Sequence, residues 1–487
     1  MGKDTTIIGM PGWELSEKIH AREVSCKEVM ETFLDHIDRV NPKVNAIVAR
    51  QDRGGLLRQA EEKDKTLASG KSDGWMHGFP QAIKDFENNK GIPSTCGSLI
   101  LKDNIPTEDA LMTSRIKAAG GILVGRTNVP EYALGSHTYN KVYGVTGNPY
   151  NPGISAGGSS GGAACALALG MLPVADGSDF MGSLRNPAGW CNVYSMRPTY
   201  GLVPSGVELF MNSFSCKGSM GRNVPDIALL MGTISGYDES IPFSLSEDAD
   251  IKGLTTKNVH ERLTADHKGK KIGWLGDWDG YLPMENGVLA VCERALKSFG
   301  QLGVSVEKAA PPMDGQKFWD EIWLPLRHFS QYGQKANCED PEKRKLLKSE
   351  VIFEYEGSAK YTGRDIYAAS MKRSDFYRTV LKMFAVYDYL AVPTAQVFAF
   401  DCSWDWPKEI AGKKMDTYHR WMEVVAAWTM ASTPVVSIPA GCNEQGKFMG
   451  IQLIGKPRTD FDLLQMAYAY DQVTDVIRAN PPRLMHE

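Results

Sequence analysis

Residues 157–187 read GGSSGGAACALALGMLPVADGSDFMGSLRNP. Two serines in this stretch, Ser159 and Ser183, each follow a glycine, which frees the backbone for a tight turn. The small-residue run at 161–171 predicts a buried helix, and the unsatisfied N–H groups at its start would point back toward Ser159. The stretch is therefore expected to bring two hydroxyl groups together within one short structural unit.

The segment between the two serines predicts a change of direction. Residues 172–175 predict a short apolar strand, and residues 176–183 predict an irregular loop. Asp179 and Arg185 lie on either side of the end of this loop. We expect them to form a buried ion pair that braces the loop around Ser183.

The rest of the chain alternates predicted strands and helices. The sequence Ser25-Cys-Lys-Glu28 is a capping box, which predicts a helix that runs until Asn41-Pro42. Further helices are predicted at about 52–67 and 460–473. Further strands are predicted at 122–124, 201–203, 272–274, 304–306, 389–392, 435–438 and 450–454. This order predicts an α/β fold in which helices cover both faces of a sheet.

The domain organisation follows from length and composition. A chain of 487 residues exceeds the usual size of one domain, yet some enzyme folds wrap a single large sheet with this much chain. We expect one domain over residues 1–487, with an N-terminal helical region at 1–70. Charged helices with aromatic residues occupy about 276–412 and predict a helical insertion, or cap, over one end of the sheet.

Charge and cysteine usage narrow the class of partner and the compartment. The balance of 54 Lys plus Arg against 58 Asp plus Glu shows no basic excess, so no nucleic-acid partner is expected. Nine cysteines without a CxxC pair suit a reducing compartment, which predicts a cytoplasmic protein. No run has the length of a membrane span and the N-terminus has no signal-peptide pattern, so no membrane association is expected.

A serine hydroxyl needs a base within hydrogen-bond reach before it can attack a carbonyl. The sequence GGSSG at 157–161 matches the G-x-S-x-G elbow of α/β-hydrolases, which would make Ser159 the nucleophile and require a histidine. The downstream histidines are His260, His267, His328, His419 and His486. None has a distinctive local sequence, and a Ser-His esterase stays open as an alternative.

The sequence gives less support to a phosphate-binding loop or a metal site. No lysine follows the second glycine pair of the loop, so a phosphate-binding P-loop is not predicted. The chain has no HExxH motif and no clustered His and Cys spacing, so neither a metal nor another cofactor is predicted. The third candidate base is Lys84, which lies among apolar residues in the segment GFPQAIKD at 78–85.

Motifs spread along the chain resemble the amidase signature family. They are GFPQAIKD at 78–85 with TCGS at 95–98, GRTN at 125–128 with Glu131, GGSSGG at 157–162, SLRNP at 183–187, RPTYG at 197–201, Tyr387-Asp388 with PT at 393–394, the segment 434–441 and GIQLIG at 450–455. The family includes fatty acid amide hydrolase, bacterial aryl and peptide amidases and the A component of the glutamyl-tRNA amidotransferase. The resemblance implies a large mixed β-sheet and hydrolysis of a linear amide bond.

Carried over by position, the resemblance implies a Ser-Ser-Lys relay. Ser183 would be the nucleophile, Ser159 the bridging serine and Lys84 the terminal base. A lysine accepts a proton near neutral pH only if burial disfavours its ammonium form, and the neighbours Ala82 and Ile83 fit such a site. The same relay run backwards would protonate the leaving nitrogen, which an amide requires.

The loop before the nucleophile departs from the family pattern. The family usually has two glycines there, whereas this chain has SDFMGS at 178–183, so that Met181 takes the first glycine position. Met181 would be strained if that position needs a positive φ. The expected oxyanion donors are the N–H groups of Phe180, Met181, Gly182 and Ser183. The resemblance also implies a cis peptide bond before Ser159 and places Ala133 beside the substrate.

Aromatic residues and methionines in the variable regions favour an apolar or aryl amide as the substrate. Carbamates, anilides, oligomeric amides and peptide amides stay open, and esters should react as well. Two further alternatives stay open: an amidotransferase component that generates ammonia from glutamine for aminoacyl-tRNA, and a binding scaffold that has lost activity through Met181. The expected partner is a small-molecule amide, and a homodimer stays open.

Overall fold

A computed structural model describes residues 7–205, 213–246 and 248–486. The α-helices within these ranges are Gly12–His20, Cys26–Val44, Arg53–Ala68, Leu111–Ala118, Gly161–Ala168, Arg185–Cys191, Val224–Ile234, Ala249–Lys252, Val259–Leu263, Val288–Leu296, Gly315–Phe318, Leu324–Ser330, Lys335–Glu339, Pro341–Arg344, Ser349–Ser358, Gly363–Met383, Ala426–Ala431 and Asp460–Val473. Short 3₁₀ turns occur at Leu99–Leu101, Glu131–Ala133, Lys297–Leu302, Tyr332–Gln334, Arg420–Val425 and Arg483–Met485, and a π-helical turn at Trp319–Trp323.

The centre of the fold is a mixed β-sheet. Within the described ranges its strands lie side by side in the order Ser305–Lys308, Lys271–Trp274, Tyr389–Pro393, Phe448–Ile454, Val435–Cys442, Tyr194–Arg197, Cys216–Gly221 and Ala175–Asp179. The first three strands pair in parallel, and the remaining pairs are antiparallel. Helices flank this sheet, which confirms the predicted α/β fold with a large mixed sheet.

A smaller sheet continues the large one beyond Ala175–Asp179. It consists of Ile47–Val48, Ile122–Thr127 and Pro80–Lys84. Hydrogen bonds join the two sheets, among them the one that Lys84 N donates to the Asp176 carboxylate at 3.3 Å. Gln81 Nε2 also donates to the O atom of Val174, just before strand Ala175–Asp179, at 3.2 Å. The end of strand Pro80–Lys84 is therefore held against the edge of the large sheet. Two-stranded ribbons occur at Tyr139–Asn140 with Gly144–Val145 and at Glu409–Ile410 with Lys413–Lys414.

The two helices around the serines are buried along their whole length. Every residue of Gly161–Ala168 and of Arg185–Cys191 is buried, and the second helix packs against Val435–Cys442 and Phe448–Ile454. Small residues make this possible, because a Cβ on Gly162 would lie 2.3 Å from the backbone nitrogen of Asn128. The small-residue run therefore lets a helix sit directly on other backbone.

Several helix predictions are confirmed. Ser25 and Glu28 form the predicted capping box, with Ser25 N donating to the Glu28 carboxylate at 2.9 Å and Glu28 N donating to Ser25 Oγ at 3.1 Å. The helix continues past Pro42 to Val44 and ends at Asn45, which has a left-handed φ of 53°. The C-terminal helix spans Asp460–Val473 as predicted.

The strand predictions beside the serines need correction. The strand predicted at 172–175 begins at Ala175 and continues to Asp179, so that the first half of the predicted loop at 176–183 is strand. The polar sequence of this strand gave no strand signal. The strand forms because it pairs with Cys216–Gly221 inside the protein. The strand predicted at 201–203 is wrong, because Gly201 has a φ of 90° and the segment is a turn. Tyr194–Arg197 and Cys216–Gly221 were not predicted.

Helices from Gly315–Phe318 to Gly363–Met383 form most of the segment between two strands of the sheet. The flanking strands Ser305–Lys308 and Tyr389–Pro393 belong to the large sheet itself. We use the word cap for the helices of residues 315–383. Within the described ranges, no helix combines the length and the apolar character that crossing a bilayer would need.

Candidate active site

Lys84 is the centre of a cluster of hydroxyl groups. It is the last residue of strand Pro80–Lys84 and is 1% exposed. Its Nζ lies 2.8 Å from Ser159 Oγ, 2.9 Å from Ser160 Oγ and 2.9 Å from Ser178 Oγ. A neutral amine has two N–H groups and one lone pair, so in that state one of the three hydroxyls donates to Lys84. This arrangement suits a lysine that accepts a proton from serine.

Burial sets the protonation state of this lysine. Removal from water lowers the pKa of Lys84 to about 7, although the negative charges of Asp176 and Asp179 oppose the shift. A substantial fraction of the Lys84 side chains is therefore neutral near neutral pH. An ordinary exposed lysine would be almost wholly charged at that pH and could not act as a base.

Ser159 lies between a glycine turn and a buried helix. The Gly158–Ser159 peptide bond is cis, as the resemblance implies. Gly158 packs against the backbone around His137, where an added Cβ would lie 3.0 Å from His137 N. Ser159 is 1% exposed, and its hydroxyl faces Lys84.

Ser183 is tied to the same cluster through its backbone. Ser160 N donates to Ser183 O at 3.2 Å, and Ser183 is 7% exposed. Among the described residues, the Ser183 hydroxyl has no hydrogen-bond partner. The structure thus brings Lys84 and Ser159 into direct contact and holds Ser183 beside them without a direct bond between the two serine hydroxyls.

A buried ion pair braces the loop before Ser183, as predicted. Arg185 donates to the Asp179 carboxylate through Nε at 2.9 Å and through its terminal nitrogen at 2.8 Å, and both side chains are fully buried. Burial would raise the pKa of Asp179, but Arg185 and the nearby Arg197 hold it well below its ordinary value. The carboxylate also accepts hydrogen bonds from Gly182 N and Leu184 N, at 2.9 and 3.1 Å.

The loop accommodates Met181 without the strain that the sequence suggested. Met181 has a negative φ, and the left-handed conformation falls on Gly182, whose φ is 80°. Gly182 N–H is engaged with Asp179, whereas the backbone N–H groups of Phe180, Met181 and Ser183 have no hydrogen-bond partner among the described residues. The role of these N–H groups as oxyanion donors stays a prediction.

Aromatic and charged residues of the cap lie against Phe180. The Phe180 ring stacks on Phe214, with centroids 5.4 Å apart, and lies 6.0 Å from the ring of Trp323. The Arg327 guanidinium lies 4.4 Å from the Phe180 centroid and donates to Glu354 at 2.8 Å. Phe180, three positions before Ser183, is therefore held between Phe214 and the cap.

Ala133 lies in the turn Glu131–Ala133, where it has a left-handed φ of 57°. Glu131 accepts hydrogen bonds from Ser98 Oγ and from Lys348 N, both at 2.7 Å. The turn is thus fixed to the start of a cap helix. Direct contact of Ala133 with a substrate stays a prediction.

The alternative base finds no support in the geometry. Two of the downstream histidines lie against other groups: His260 lies 3.1 Å from Tyr468 Oη, and His328 lies 2.9 Å from Glu354. The hydroxyl partner of Ser159 is Lys84. Among the described residues, no group of three or more His, Cys, Asp or Glu side chains is placed to hold a metal ion.

The model of the amidase family matches residues 28–464 of this chain. The chain belongs to the amidase family. The A component of a glutamyl-tRNA(Gln) amidotransferase from Cyanothece sp. is 34% identical over 493 residues, which cover 95% of this chain and 97% of that protein. An acylamidase from Rhodococcus erythropolis is 32% identical and covers 94% of each chain.

Solved structures agree with this membership. A bacterial aryl acylamidase of the amidase signature family superposes on this amidase with a TM-score of 0.88 at 26% identity, over 98% of this chain and 100% of that one. A 6-aminohexanoate cyclic dimer hydrolase has the same fold, with a TM-score of 0.83 at 22% identity, over 98% of this chain and 99% of that one. The family and the acylamidase relatives support an amide-cleaving hydrolase.

Two features of the site were not predicted from the sequence of this amidase. Ser178 contacts Lys84, but it lies in a strand whose polar sequence reads as a loop. Lys217, on the neighbouring strand, forms an ion pair with Glu87 close to the same lysine. In the sequence, the proximity of Glu87 to Lys84, three positions apart, was the one sign that a charged pair lies close to Lys84.

Proposed function

We propose that this chain is an amide hydrolase in which Ser183 is the nucleophile, Ser159 the bridging serine and Lys84 the base. The observation that carries the proposal is the buried Lys84 amine in hydrogen-bond contact with Ser159 at 2.8 Å. A serine needs such a partner to become a nucleophile, and burial makes this lysine able to accept a proton near neutral pH.

The relay accounts for each proton. In acylation, a bond forms between Ser183 Oγ and the carbonyl carbon, while the Ser183 proton moves to Ser159 and the Ser159 proton moves to Lys84. The carbon–nitrogen bond then breaks, and the relay returns a proton to the leaving nitrogen. In deacylation, water attacks the ester carbon, gives a proton to the relay, and the acid is released as Ser183 regains its proton.

The free N–H groups near Ser183 support stabilisation of the oxyanion. Phe180 N, Met181 N and Ser183 N have no hydrogen-bond partner among the described residues, whereas Gly182 N is engaged with Asp179. One oxyanion donor contributes on the order of 10²–10³ to the rate. We propose these three groups as the donors and assign Gly182 the role of shaping the loop through its positive φ.

The proposed substrate is an amide with an apolar or aryl group. Its support is the ring cluster of Phe180, Phe214 and Trp323. This cluster lies at residues 180–183, which end at the proposed nucleophile and which we call the nucleophile loop. The similarity to proteins described as an acylamidase and a bacterial aryl acylamidase points the same way. We also propose a single domain whose cap covers the active-site end. Because no disulfide joins any two of the nine cysteines, we propose a cytoplasmic location.

A substrate panel with active-site labelling tests the proposal. The purified chain is expected to hydrolyse aryl amides or anilides, and the matching esters faster, and a fluorophosphonate is expected to label Ser183. Ser183→Ala should abolish both labelling and turnover. Labelling of Ser159 instead of Ser183 would contradict the assignment of the nucleophile, and absence of both labelling and turnover would favour a binding scaffold.

A second candidate function is that of an amidotransferase component, because the A component of a glutamyl-tRNA(Gln) amidotransferase is 34% identical to this chain over nearly its whole length. That function would need partner proteins and glutamine as the ammonia source. Hydrolysis of simple amides by the isolated chain, without glutaminase activity, would exclude it. Light scattering on the same sample would show whether the chain is a monomer or a homodimer.

A further inference from the structure

A second lysine projects toward the site from the neighbouring strand. Lys217 lies in strand Cys216–Gly221, directly opposite Ser178 of strand Ala175–Asp179. Residues directly opposite each other on antiparallel strands leave the same face of the sheet, with Cβ atoms about 4.5–5.5 Å apart. Ser178 Oγ lies 2.9 Å from Lys84 Nζ. The Lys217 side chain therefore leaves the sheet on the side where Lys84 ends.

Glu87 fixes the charge and the position of Lys217. The Lys217 ammonium contacts the Glu87 carboxylate, and the two side chains are 12% and 7% exposed. Glu87 N donates to Lys84 O at 3.2 Å, so the pair is tied to the backbone of Lys84. Burial lowers the pKa of Lys217 to about 7, and the Glu87 carboxylate in direct contact with Lys217 favours its ammonium form.

On the basis of the proposed role of Lys84 as a base, we propose that Lys217 is a positioning residue whose positive charge, held in place by Glu87, disfavours protonation of Lys84. A second positive charge close by makes protonation of Lys84 unfavourable in the poorly hydrated interior. The lone pair of Lys84 then stays available for the Ser159 proton. This role concerns the charge of Lys217 and not the shape of its side chain.

The other charges around Lys84 make this contribution necessary. They are Asp176 and Asp179 on the strand beside it, Arg126 on strand Ile122–Thr127, Asp85 and Glu87 on the following loop, and Arg185 and Arg197 behind Asp179. Asp179 is compensated by its two arginines, and Asp85 lies 3.5 Å from Arg126. Lys217 compensates the Glu87 carboxylate, and Asp176 remains a negative charge that favours the ammonium form of Lys84. Loss of the Lys217 charge would leave Glu87 uncompensated close to Lys84 as well.

The test compares variants that remove or keep the charge of Lys217. Lys217→Met and Lys217→Gln remove it, and the glutamine can still donate a hydrogen bond to Glu87. Lys217→Arg keeps it. Lys117→Met is the matched control, because Lys117 forms a comparable ion pair with Asp109 at 2.7 Å and does not contribute to the pKa of Lys84.

The measurement is the pH dependence of the rate at which a fluorophosphonate labels Ser183, which reports ionisation in the free enzyme. The wild-type rate is expected to rise with pH through about 7. In Lys217→Met and Lys217→Gln, the midpoint should move upward by about one pH unit, so labelling at pH 7 slows about fivefold while labelling at pH 9 is nearly unchanged. Lys217→Arg and Lys117→Met should keep the wild-type midpoint.

The outcomes separate this inference from the proposed function. If Lys84→Met leaves the wild-type pH midpoint in place, the proposed function fails. If Lys84→Met abolishes the midpoint but both neutral variants of Lys217 keep it within about 0.3 pH units, only the inference about Lys217 is wrong. A shift in Lys217→Arg equal to that in Lys217→Met would also overturn it, because packing and not charge would then be responsible.

Discussion

Lys84, the proposed base, shows how burial changes the properties of a residue type that usually lies at the surface. Its strand ends against the edge of the large sheet, and Asp176 accepts its backbone N–H there. The side chain then has no route to water and meets three serine hydroxyls instead. Because burial disfavours the ammonium form, the pKa of Lys84 falls to about 7. A lysine with this pKa can accept a proton near neutral pH.

Ser159 and Ser160 provide a matched pair for testing the relay. Both hydroxyls contact Lys84 Nζ, at 2.8 and 2.9 Å. Because only Ser159 is proposed to pass the proton, Ser159→Ala should lower kcat by about 10²–10⁴, the usual contribution of a proton-transfer group. Ser160→Ala should lower kcat by less than about tenfold. Steady-state kinetics on one aryl amide gives both values, and similar losses in the two variants would contradict the role of Ser159.

The sequence predicted some residues of the candidate site and missed others. Lys84, Ser159 and Ser183 could be proposed because each sits in a motif that resembles the amidase signature family. Ser178 and Lys217 could not, because they reach Lys84 through the pairing of two strands that the sequence did not predict. A partner defined by strand register is invisible until the register is known.

At the scale of elements, the turn from strand Ala175–Asp179 to helix Arg185–Cys191 carries Ser183, the proposed nucleophile. The Asp179 carboxylate binds two backbone N–H groups of this turn and the Arg185 side chain. The strand was mistaken for a loop because its five residues, ADGSD, show no apolar alternation. A strand that is buried on both faces and includes glycine and aspartate has no sequence period to detect.

From the conformation of this turn we expect a large effect from one substitution and a small effect from its neighbour. Gly182→Ala should reduce kcat by at least about tenfold and destabilise the protein by about 1–3 kcal/mol, because Gly182 has a φ of 80° and an added Cβ would lie 2.8 Å from Val425. Met181→Gly, with a negative φ at that position, should keep kcat within about tenfold. Kinetics and thermal unfolding of both variants check this. A larger loss in Met181→Gly would show that the methionine side chain, and not the turn, determines the rate.

At the scale of the whole molecule, a buried network joins the cap to the nucleophile loop. Arg327 of helix Leu324–Ser330 stacks on Phe180 and pairs with Glu354 of helix Ser349–Ser358. Tyr418, from beyond the cap, donates to the same carboxylate. The cap is therefore connected to Phe180, the residue that precedes Met181, and so to the loop that holds the proposed oxyanion donors.

This network predicts a large effect of a single charge. Glu354→Gln leaves the buried Arg327 without a carboxylate, which should lower the free energy of unfolding by about 3–5 kcal/mol and lower kcat, because the wall against Phe180 loosens. Glu356→Gln on the same helix is the control, since its pair with Arg344 is exposed and should cost less than about 1 kcal/mol. Denaturant unfolding measures both. Equal effects of the two changes would mean that the network does not fix the cap.

The alternation of strands and helices was enough to predict the class of the whole fold, and the motifs were enough to indicate the family. The helices Cys26–Val44 and Asp460–Val473 were predictable because capping residues and apolar periodicity mark them. The order of strands was not, since Tyr194–Arg197 and Ala175–Asp179 are formed by pairing partners distant in sequence. Long-range pairing is a property of the folded chain that no local window contains.

The most direct test of the proton relay is the pH dependence of acylation at Ser183 in the wild type and in Lys84→Met, followed by mass spectrometry of the acylated chain. We predict that the wild-type rate rises through a midpoint near pH 7, the pKa that burial gives Lys84, and that the acyl group is found on Ser183. In Lys84→Met the rate should fall by about 10²–10⁴ and lose that midpoint. An acyl group on another residue, or an unchanged rate profile without Lys84, would contradict the account.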